Sequence, residues 1–154
     1  MRASVTAFVA LGANLGDPAA SLLRAMDDIA AIAGVVLVKR SSLYRSAPLA
    51  SSGPDYLNAV VELQTILNAP ALLAALQRIE QLAGRQRPSR NAPRTLDLDL
   101  LTYGDASIAS AALTVPHPRL TERAFVLLPL AEIAPQRVTD AQLQAVQGQA
   151  IERL

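Results

Sequence analysis

The chain has 154 residues, 51% of them hydrophobic and 18% charged, a balance that excludes intrinsic disorder and suffices for one domain with its own core. It has no cysteine and a single histidine, which excludes disulfide scaffolds, thiolate zinc sites, cysteine nucleophiles and His-rich metal centres. A net charge of +1 gives no overall attraction to nucleic acid or membrane, and no apolar run approaches the ~18 residues of a membrane span.

Met1 and Arg2 before the apolar run 5–11 are too meagre for a secretory signal, and the run reads as a first strand. A single soluble, cytoplasmic domain over residues 1–154 is therefore expected, monomeric and without a nucleic-acid or membrane partner. Gly12-Ala13-Asn14-Leu15-Gly16 follows the strand as a turn that calls for positive φ. Asp17 is placed to cap a helix and Pro18 to occupy its first position. Leu22, Met26, Ile29 and Ala33 recur at helical spacing until Gly34 ends the helix.

Residues 35–45 predict a strand, 47–54 a loop rich in proline and serine, and 56–67 a second strand pairing back across it. Asn68 and Pro70 open another helix, with Leu72, Leu76, Ile79 and Ala83 as its apolar stripe and Gly84 as its stop. Residues 85–93 form an arginine- and proline-rich loop. Residues 95–103 alternate with the period of a strand, and Gly104-Asp105 turns it. Beyond Pro116-His117-Pro118, residues 122–133 predict a helix that Pro129 kinks or ends, and 139–154 a weakly helical tail. The order βαββαβ followed by helices predicts an α+β fold: a ferredoxin-like sandwich with helices on one face of an antiparallel sheet and extra C-terminal helical elements.

The segment with most chemistry is Arg94-Thr95-Leu96-Asp97-Leu98-Asp99-Leu100-Leu101. Period two places both carboxylates on one face and Leu96, Leu98 and Leu100 on the other. Carboxylates at i and i+2 can hold Mg²⁺ against substrate phosphates, although a solvent-facing amphipathic strand shows the same alternation. Five arginines (Arg78, Arg85, Arg87, Arg90, Arg94) precede the pair. Guanidinium groups suit bidentate contact with phosphate oxygens, so the loop reads either as a lid over a polyphosphate or as a solvated basic loop. RNA binding lacks support, because the aromatics Phe8, Tyr44, Tyr56, Tyr103 and Phe125 do not interleave with the basic residues. His117 lies between two prolines and can face a phosphate or serve the fold alone. Tyr56 and Asn58 share one strand face, as sheet packing or as the wall of a pocket for a flat polar heterocycle. Another Mg²⁺-dependent phosphotransferase or a nuclease could use the same Asp-x-Asp strand, but neither needs Tyr56 and Asn58.

Several segments together resemble the 6-hydroxymethyl-7,8-dihydropterin pyrophosphokinase family. They are Leu11-Gly12-Ala13-Asn14-Leu15-Gly16, Leu43-Tyr44-Arg45-Ser46-Ala47-Pro48-Leu49, Pro54-Asp55-Tyr56-Leu57-Asn58, the run from Arg90 to Leu101, Val115-Pro116-His117-Pro118 and Arg123-Ala124-Phe125. The resemblance implies a ferredoxin-like enzyme of folate biosynthesis that moves the terminal pyrophosphoryl group of ATP onto a reduced hydroxymethylpterin and releases AMP. It implies that Asp97 and Asp99 hold two Mg²⁺ ions, and that Arg85 and Arg94 contact the transferring phosphates with help from Arg87 and Arg90. On the same basis Gln77, Glu80, Leu100, Thr114, His117 and Arg123 line the nucleotide side. Ser46, Ala47, Pro48, Leu49, Tyr56, Asn58 and Phe125 form the pterin slot, with Asn58 offering it both amide donor and carbonyl acceptor. The chain departs from some members at Asn91, where they have tryptophan, in an arginine loop one residue shorter, and at Ala112, where they have arginine.

Overall fold

The computed structural model describes residues 3–47, 54–84 and 96–154. Its elements run β1 (Val5–Ala13), α1 (Pro18–Ala30), β2 (Val35–Arg40), β3 (Tyr44–Ser46), β4 (Tyr56–Thr65), α2 (Ala69–Gly84) and β5 (Asp97–Tyr103). There follow a small hairpin, β6 (Ile108–Ala109) and β7 (Thr114–Val115), then α3 (Ala124–Ile133), α4 (Asp140–Ala145) and β8 (Ile151–Arg153). The main sheet is antiparallel in the order β5-β1-β4-β3-β8, and β2 also pairs with β4.

Local chemistry accounts for the helix starts. The Asp17 carboxylate accepts from the Ala20 N–H at 3.1 Å ahead of Pro18, and the Asn68 side chain accepts from the Ala71 N–H at 2.8 Å. Gly34 turns the chain into β2 with φ +87°. A Cβ there would also press on Ile66 at 3.1 Å, so both the conformation and the space call for glycine. Gly16 has the positive φ expected of its turn, whereas Gly12 lies inside β1 without one.

β1 and β4 carry apolar residues at both parities, which obliges the sheet to be covered on both sides. Ala7, Val9 and Leu11 pack with Leu22, Met26 and Ile29 of α1 and Leu72 and Leu76 of α2. Phe8, Ala10 and Val60 face the other way, onto Val126, Leu130 and Ile133 of α3. Helices therefore cover both faces rather than one, since α3 supplies a cover that the βαββαβ pattern does not include. Pro129 neither ends nor interrupts α3. Proline removes one helical hydrogen bond, and burial of Val126 and Leu130 on either side of it holds the helix on the sheet.

Two further departures concern strands. The single strand expected over 35–45 divides into β2 and β3, which pair with successive halves of the longer β4. At the break Ser41 stays attached, its N–H donating to the Val60 carbonyl and its hydroxyl accepting from the Val60 N–H, both at 2.9 Å. The tail expected to be helical forms only the short α4, started by a Thr139–Gln142 capping box. It then becomes β8, which pairs with β3 and adds an Arg45–Glu152 ion pair at 2.7 Å. Among the described residues no helix is long and apolar enough to cross a membrane.

Glu132 ties α3 to this edge. Its carboxylate accepts from the Ser42 N–H at 3.0 Å, the Ser42 hydroxyl at 3.0 Å and the Tyr44 hydroxyl at 2.8 Å, with Arg153 at 3.3 Å. Burial pushes the Tyr44 hydroxyl up to about 12, aided by its bond to the Glu132 carboxylate. Burial also works to raise Glu132, but the hydrogen bonds and the Arg153 charge prevail and hold it below its ordinary 4.5. A depressed carboxylate contributes stability above its unfolded pKa that disappears as pH falls through the folded one. The melting temperature of the wild type should therefore fall more steeply on acidification below pH 4.5 than that of Glu132→Gln. Parallel acid limbs in the two proteins would contradict this.

Candidate active site

The register between β1 and β5 sets the site. Gly12 lies opposite Asp97, Ala10 opposite Asp99 and Val9 opposite Leu100, and then the register slips so that Phe8 faces Thr102. Before the slip, Leu96, Leu98 and Leu100 join the core beneath α1 and α2. Asp97 and Asp99 share the α3 face with Leu101, which is buried there. After it, Tyr103 returns to the α1–α2 side. Such a slip is a β-bulge, which re-aims side chains at the end of a strand.

Pairing with β4 extends the rows across the sheet: Asn58, Gly12 and Asp97 form one, and Val60, Ala10 and Asp99 the next. The small residues at the centre of each row leave a floor with no side chain larger than a methyl, and a cavity of about 320 Å³ opens over it. Ser46, Ala47, Tyr56, Asn58, Arg123 and Phe125 line its walls, with Asp97 and Asp99 at one side. A second cavity of about 290 Å³ runs along the outer edge of β5. Gln77, Glu80, Leu100, Ala112, Thr114 and His117 line it, and Asp97 and Asp99 belong to its lining as well. Both volumes are near the lower end for small-molecule sites. The two carboxylates, both half-buried, stand where the cavities meet.

Individual side chains are fixed by their partners. Asn58, 4% exposed, donates from Nδ2 to the Ser46 hydroxyl at 2.8 Å and to the Tyr44 carbonyl at 3.4 Å. A carbonyl only accepts, which sets the amide's orientation. Both donors are thus engaged within the protein, and Asn58 presents its carbonyl oxygen on the Gly12 side rather than a donor and an acceptor together. Glu80 accepts from the Leu98 N–H at 2.8 Å, joining α2 to β5. The His117 N–H donates to the Leu101 carbonyl at 2.8 Å, which pins its loop to β5. Its ring Nδ1 accepts from the Arg119 N–H at 3.1 Å, so the neutral ring carries its proton on Nε2.

Of the residues expected on the nucleotide side, Gln77, Glu80, Leu100, Thr114 and His117 come together in the second cavity. Arg123 instead lines the first, its guanidinium 5.3 Å from the centre of the Phe125 ring. Ser46, Ala47, Tyr56, Asn58 and Phe125 line the first cavity with it. Arg85, Arg87, Arg90, Arg94, Pro48 and Leu49 lie outside the described residues, as does Asn91. Sequence reasoning missed Ala10 and Gly12 as the cavity floor. Glycine in a strand is itself a signal of close approach, but Gly12 was assigned to the turn.

The fold and site define an α+β protein, an antiparallel sheet with helices on both faces, that brings two cavities to one carboxylate pair. The family profile 7,8-dihydro-6-hydroxymethylpterin-pyrophosphokinase (HPPK) matches residues 8–135, and the chain belongs to this family. Curated relatives named 2-amino-4-hydroxy-6-hydroxymethyldihydropteridine pyrophosphokinase include one from Synechocystis, 47% identical over 132 residues that cover 86% of this chain and 68% of the relative. Another, from Pseudomonas aeruginosa, is 42% identical over 154 residues, covering 96% of this chain and 95% of the relative. Among solved structures, an HPPK-DHPS in complex with substrates superposes with a TM-score of 0.67 at 13% identity, over 87% of this chain and 40% of that one. Wild-type Plasmodium falciparum HPPK-DHPS with pteroate gives 0.67 at 14%, over 86% and 39%. These likenesses establish the shared fold, and the chain spans about two fifths of the length of those structures.

Truncating Asn58 leaves buried partners without their donor. Asn58→Ala should cost about 1–3 kcal/mol of unfolding free energy, read by denaturant titration. A loss under about 0.5 kcal/mol, the size of an ordinary surface change, would mean that the Ser46 and Tyr44 bonds do not hold the cavity wall.

Proposed function

We propose that the chain transfers the βγ-pyrophosphoryl group of ATP to the hydroxymethyl group of 6-hydroxymethyl-7,8-dihydropterin in folate biosynthesis, with AMP as the second product. The observation that carries this reading is the shared wall: Asp97 and Asp99 line both cavities, so ligands in the two would meet at the carboxylates. Family membership over residues 8–135 supplies the chemical identity of the two substrates.

In this reading the pterin occupies the first cavity, between the aromatic faces of Tyr56 and Phe125. The Asn58 carbonyl accepts from an N–H of the pterin edge, and Pro48 and Leu49 complete the slot with Ser46 and Ala47. ATP occupies the second cavity, where Gln77, Leu100, Thr114 and His117 position it and His117 offers its Nε2–H to a phosphate oxygen. Glu80 serves this side by bracing β5. Arg85 and Arg94 are the residues to which we assign the transferring phosphates, with Arg87 and Arg90 as clamps; Arg123 stays on the pterin side, over the Phe125 ring. The strand order β5-β1-β4-β2 supports reading the core as ferredoxin-like, and we take residues 1–154 as one monomeric domain.

Among the described residues no group of three or more His, Cys, Asp or Glu side chains could hold a metal. Two carboxylates nevertheless fit Mg²⁺, which is bound by one or two carboxylates, water and substrate phosphates rather than by an all-protein cage. Asp97 and Asp99 would hold it. When bound, Mg²⁺ neutralises phosphate charge and makes an attacking hydroxyl more acidic. The protein's own share is positioning. The two cavities hold the hydroxymethyl oxygen in line with the β-phosphorus. That oxygen bonds to the phosphorus and gives its proton to solvent while the bond from the β-phosphorus to the α–β bridging oxygen breaks, and AMP departs with the bridging oxygen. The arginines stabilise charge as it develops on the phosphoryl oxygens.

Product analysis tests the reading. ATP, Mg²⁺ and the reduced hydroxymethylpterin should give pterin-dependent AMP, and ADP in its place would overturn it. Asp97→Ala and Asp99→Ala should each lower AMP formation by at least about a hundredfold while the circular-dichroism spectrum stays that of the wild type. Wild-type rates in either would refute the carboxylate assignment. Gly12→Ala tests the floor. The added Cβ meets only ordinary contacts, 3.5 Å from Asn58 Oδ1, so the variant should fold and lose pterin affinity by about tenfold. Unchanged affinity would place the pterin elsewhere.

A further inference from the structure

The tail beyond the family match, which ends at residue 135, reaches back to the site. α3 begins at Ala124 with Arg123 as its N-cap, and the cap's own side chain makes no capping hydrogen bond. The first N–H groups of a helix have no acceptor within it. For Ala124 the acceptor comes from the tail: Gln149 Oε1 takes its N–H at 2.9 Å, while Gln149 Nε2 donates to the Glu122 carbonyl at 2.8 Å. One carboxamide thus grips the backbone on both sides of Arg123, and Phe125 is the next residue after the gripped amide.

Gln149 is itself held on both sides along the chain. Its N–H donates to the Val146 carbonyl at 3.0 Å, and Val146 is buried against Ala124 and Leu127. Two residues further on, Ile151 pairs with Ser46 in the β3–β8 ladder. The tail therefore connects the opposite walls of the first cavity, Ser46 on one and Arg123 with Phe125 on the other. A hollow of about 130 Å³ behind that cavity is lined by Ser46, Ala47, Phe125 and Gln149, so the Phe125 wall has room to shift when the grip is released. An apolar side chain at this position could supply neither the acceptor for Ala124 nor the donor for Glu122.

We propose that Gln149 is a positioning residue for the pterin cavity: by capping α3 from outside the helix it fixes Arg123 and Phe125 where the pterin ring must stack. The proposal rests on the assignment of the first cavity to the pterin. It predicts an effect confined to one of the two ligands, which a general loss of stability would not produce.

Calorimetric titration of the pterin, with Mg²⁺ and an unreactive ATP analogue present, tests it without depending on turnover. Gln149→Ala should weaken pterin binding about tenfold, and Gln149→Glu, which keeps the acceptor for Ala124 and loses the donor to Glu122, about threefold. The analogue's own affinity should stay within about twofold in both, and the exposed neighbour variant Gln147→Ala should match the wild type. Wild-type pterin affinity in either folded Gln149 variant overturns the proposal, as does a parallel loss for pterin and nucleotide. If Gln149→Ala does not fold, Gln149→Glu alone decides. Wild-type protein that binds the pterin yet makes no AMP would refute the transfer reading and leave this test intact, whereas wild-type protein that binds no pterin would fell both.

Discussion

A central strand that must be covered on both faces, yet carries two very small residues near its end, shapes everything around the site. Burying β1 on both sides requires α1 and α2 below and α3 above. Ala10 still meets α3, but at Gly12 no side chain rises from the strand, and close packing gives way to a cavity. The neighbours of those small residues across the sheet, Asn58, Asp97 and Asp99, then face open space instead of a helix. Polar groups that would be costly in a core become a site at no such cost. The bulge after Leu100 completes the arrangement, because it lets β5 bury Leu101 under α3 and Tyr103 on the far side within a few residues.

The carboxylate pair gains its meaning from location rather than composition. Two aspartates at i and i+2 on an edge strand repel one another and attract cations, which water screens where the strand is exposed. Here both are half-buried and form part of two cavity walls. A polyphosphate in one cavity and a hydroxyl in the other would both abut the same charges. Phosphoryl chemistry asks the protein for alignment and charge compensation more than for covalent assistance. A rigid sheet supplies alignment well, since Asp97, Gly12 and Asn58 are fixed in one row by the backbone ladders.

How far the sequence reveals this depends on whether a feature is local. The Asp17 and Asn68 caps, the α2 stripe and the alternation through Asp97 and Asp99 are set by neighbours a few residues away, and they are legible. The motif residues likewise fall into two groups that assemble into two cavities, apart from Arg123, which changes sides because α3 begins immediately after it and turns it toward Phe125. Nonlocal features were hidden. The division of 35–45 into β2 and β3 shows only in the pairing, where Arg40 faces Val61 and Tyr44 faces Asn58 so that one extra residue lies between them, and β8 pairs with the edge that β3 leaves. Gly12 reads as part of a turn because Gly16, which does take a positive φ, lies only four residues on. Its role as a floor depends on Asn58 and Asp97, which are far away in sequence.

The central claim is that two ligands meet at Asp97 and Asp99, and a crystal structure of the ternary complex tests it most directly. The protein would be crystallised with the pterin, an unreactive ATP analogue and Mn²⁺ in place of Mg²⁺, and anomalous scattering recorded to locate the metal. Anomalous peaks are expected about 2 Å from carboxylate oxygens of Asp97 and Asp99, with the pterin over Gly12 on one side and the triphosphate along β5 on the other. Peaks remote from the two aspartates, or both ligands seated in a single cavity, would contradict it.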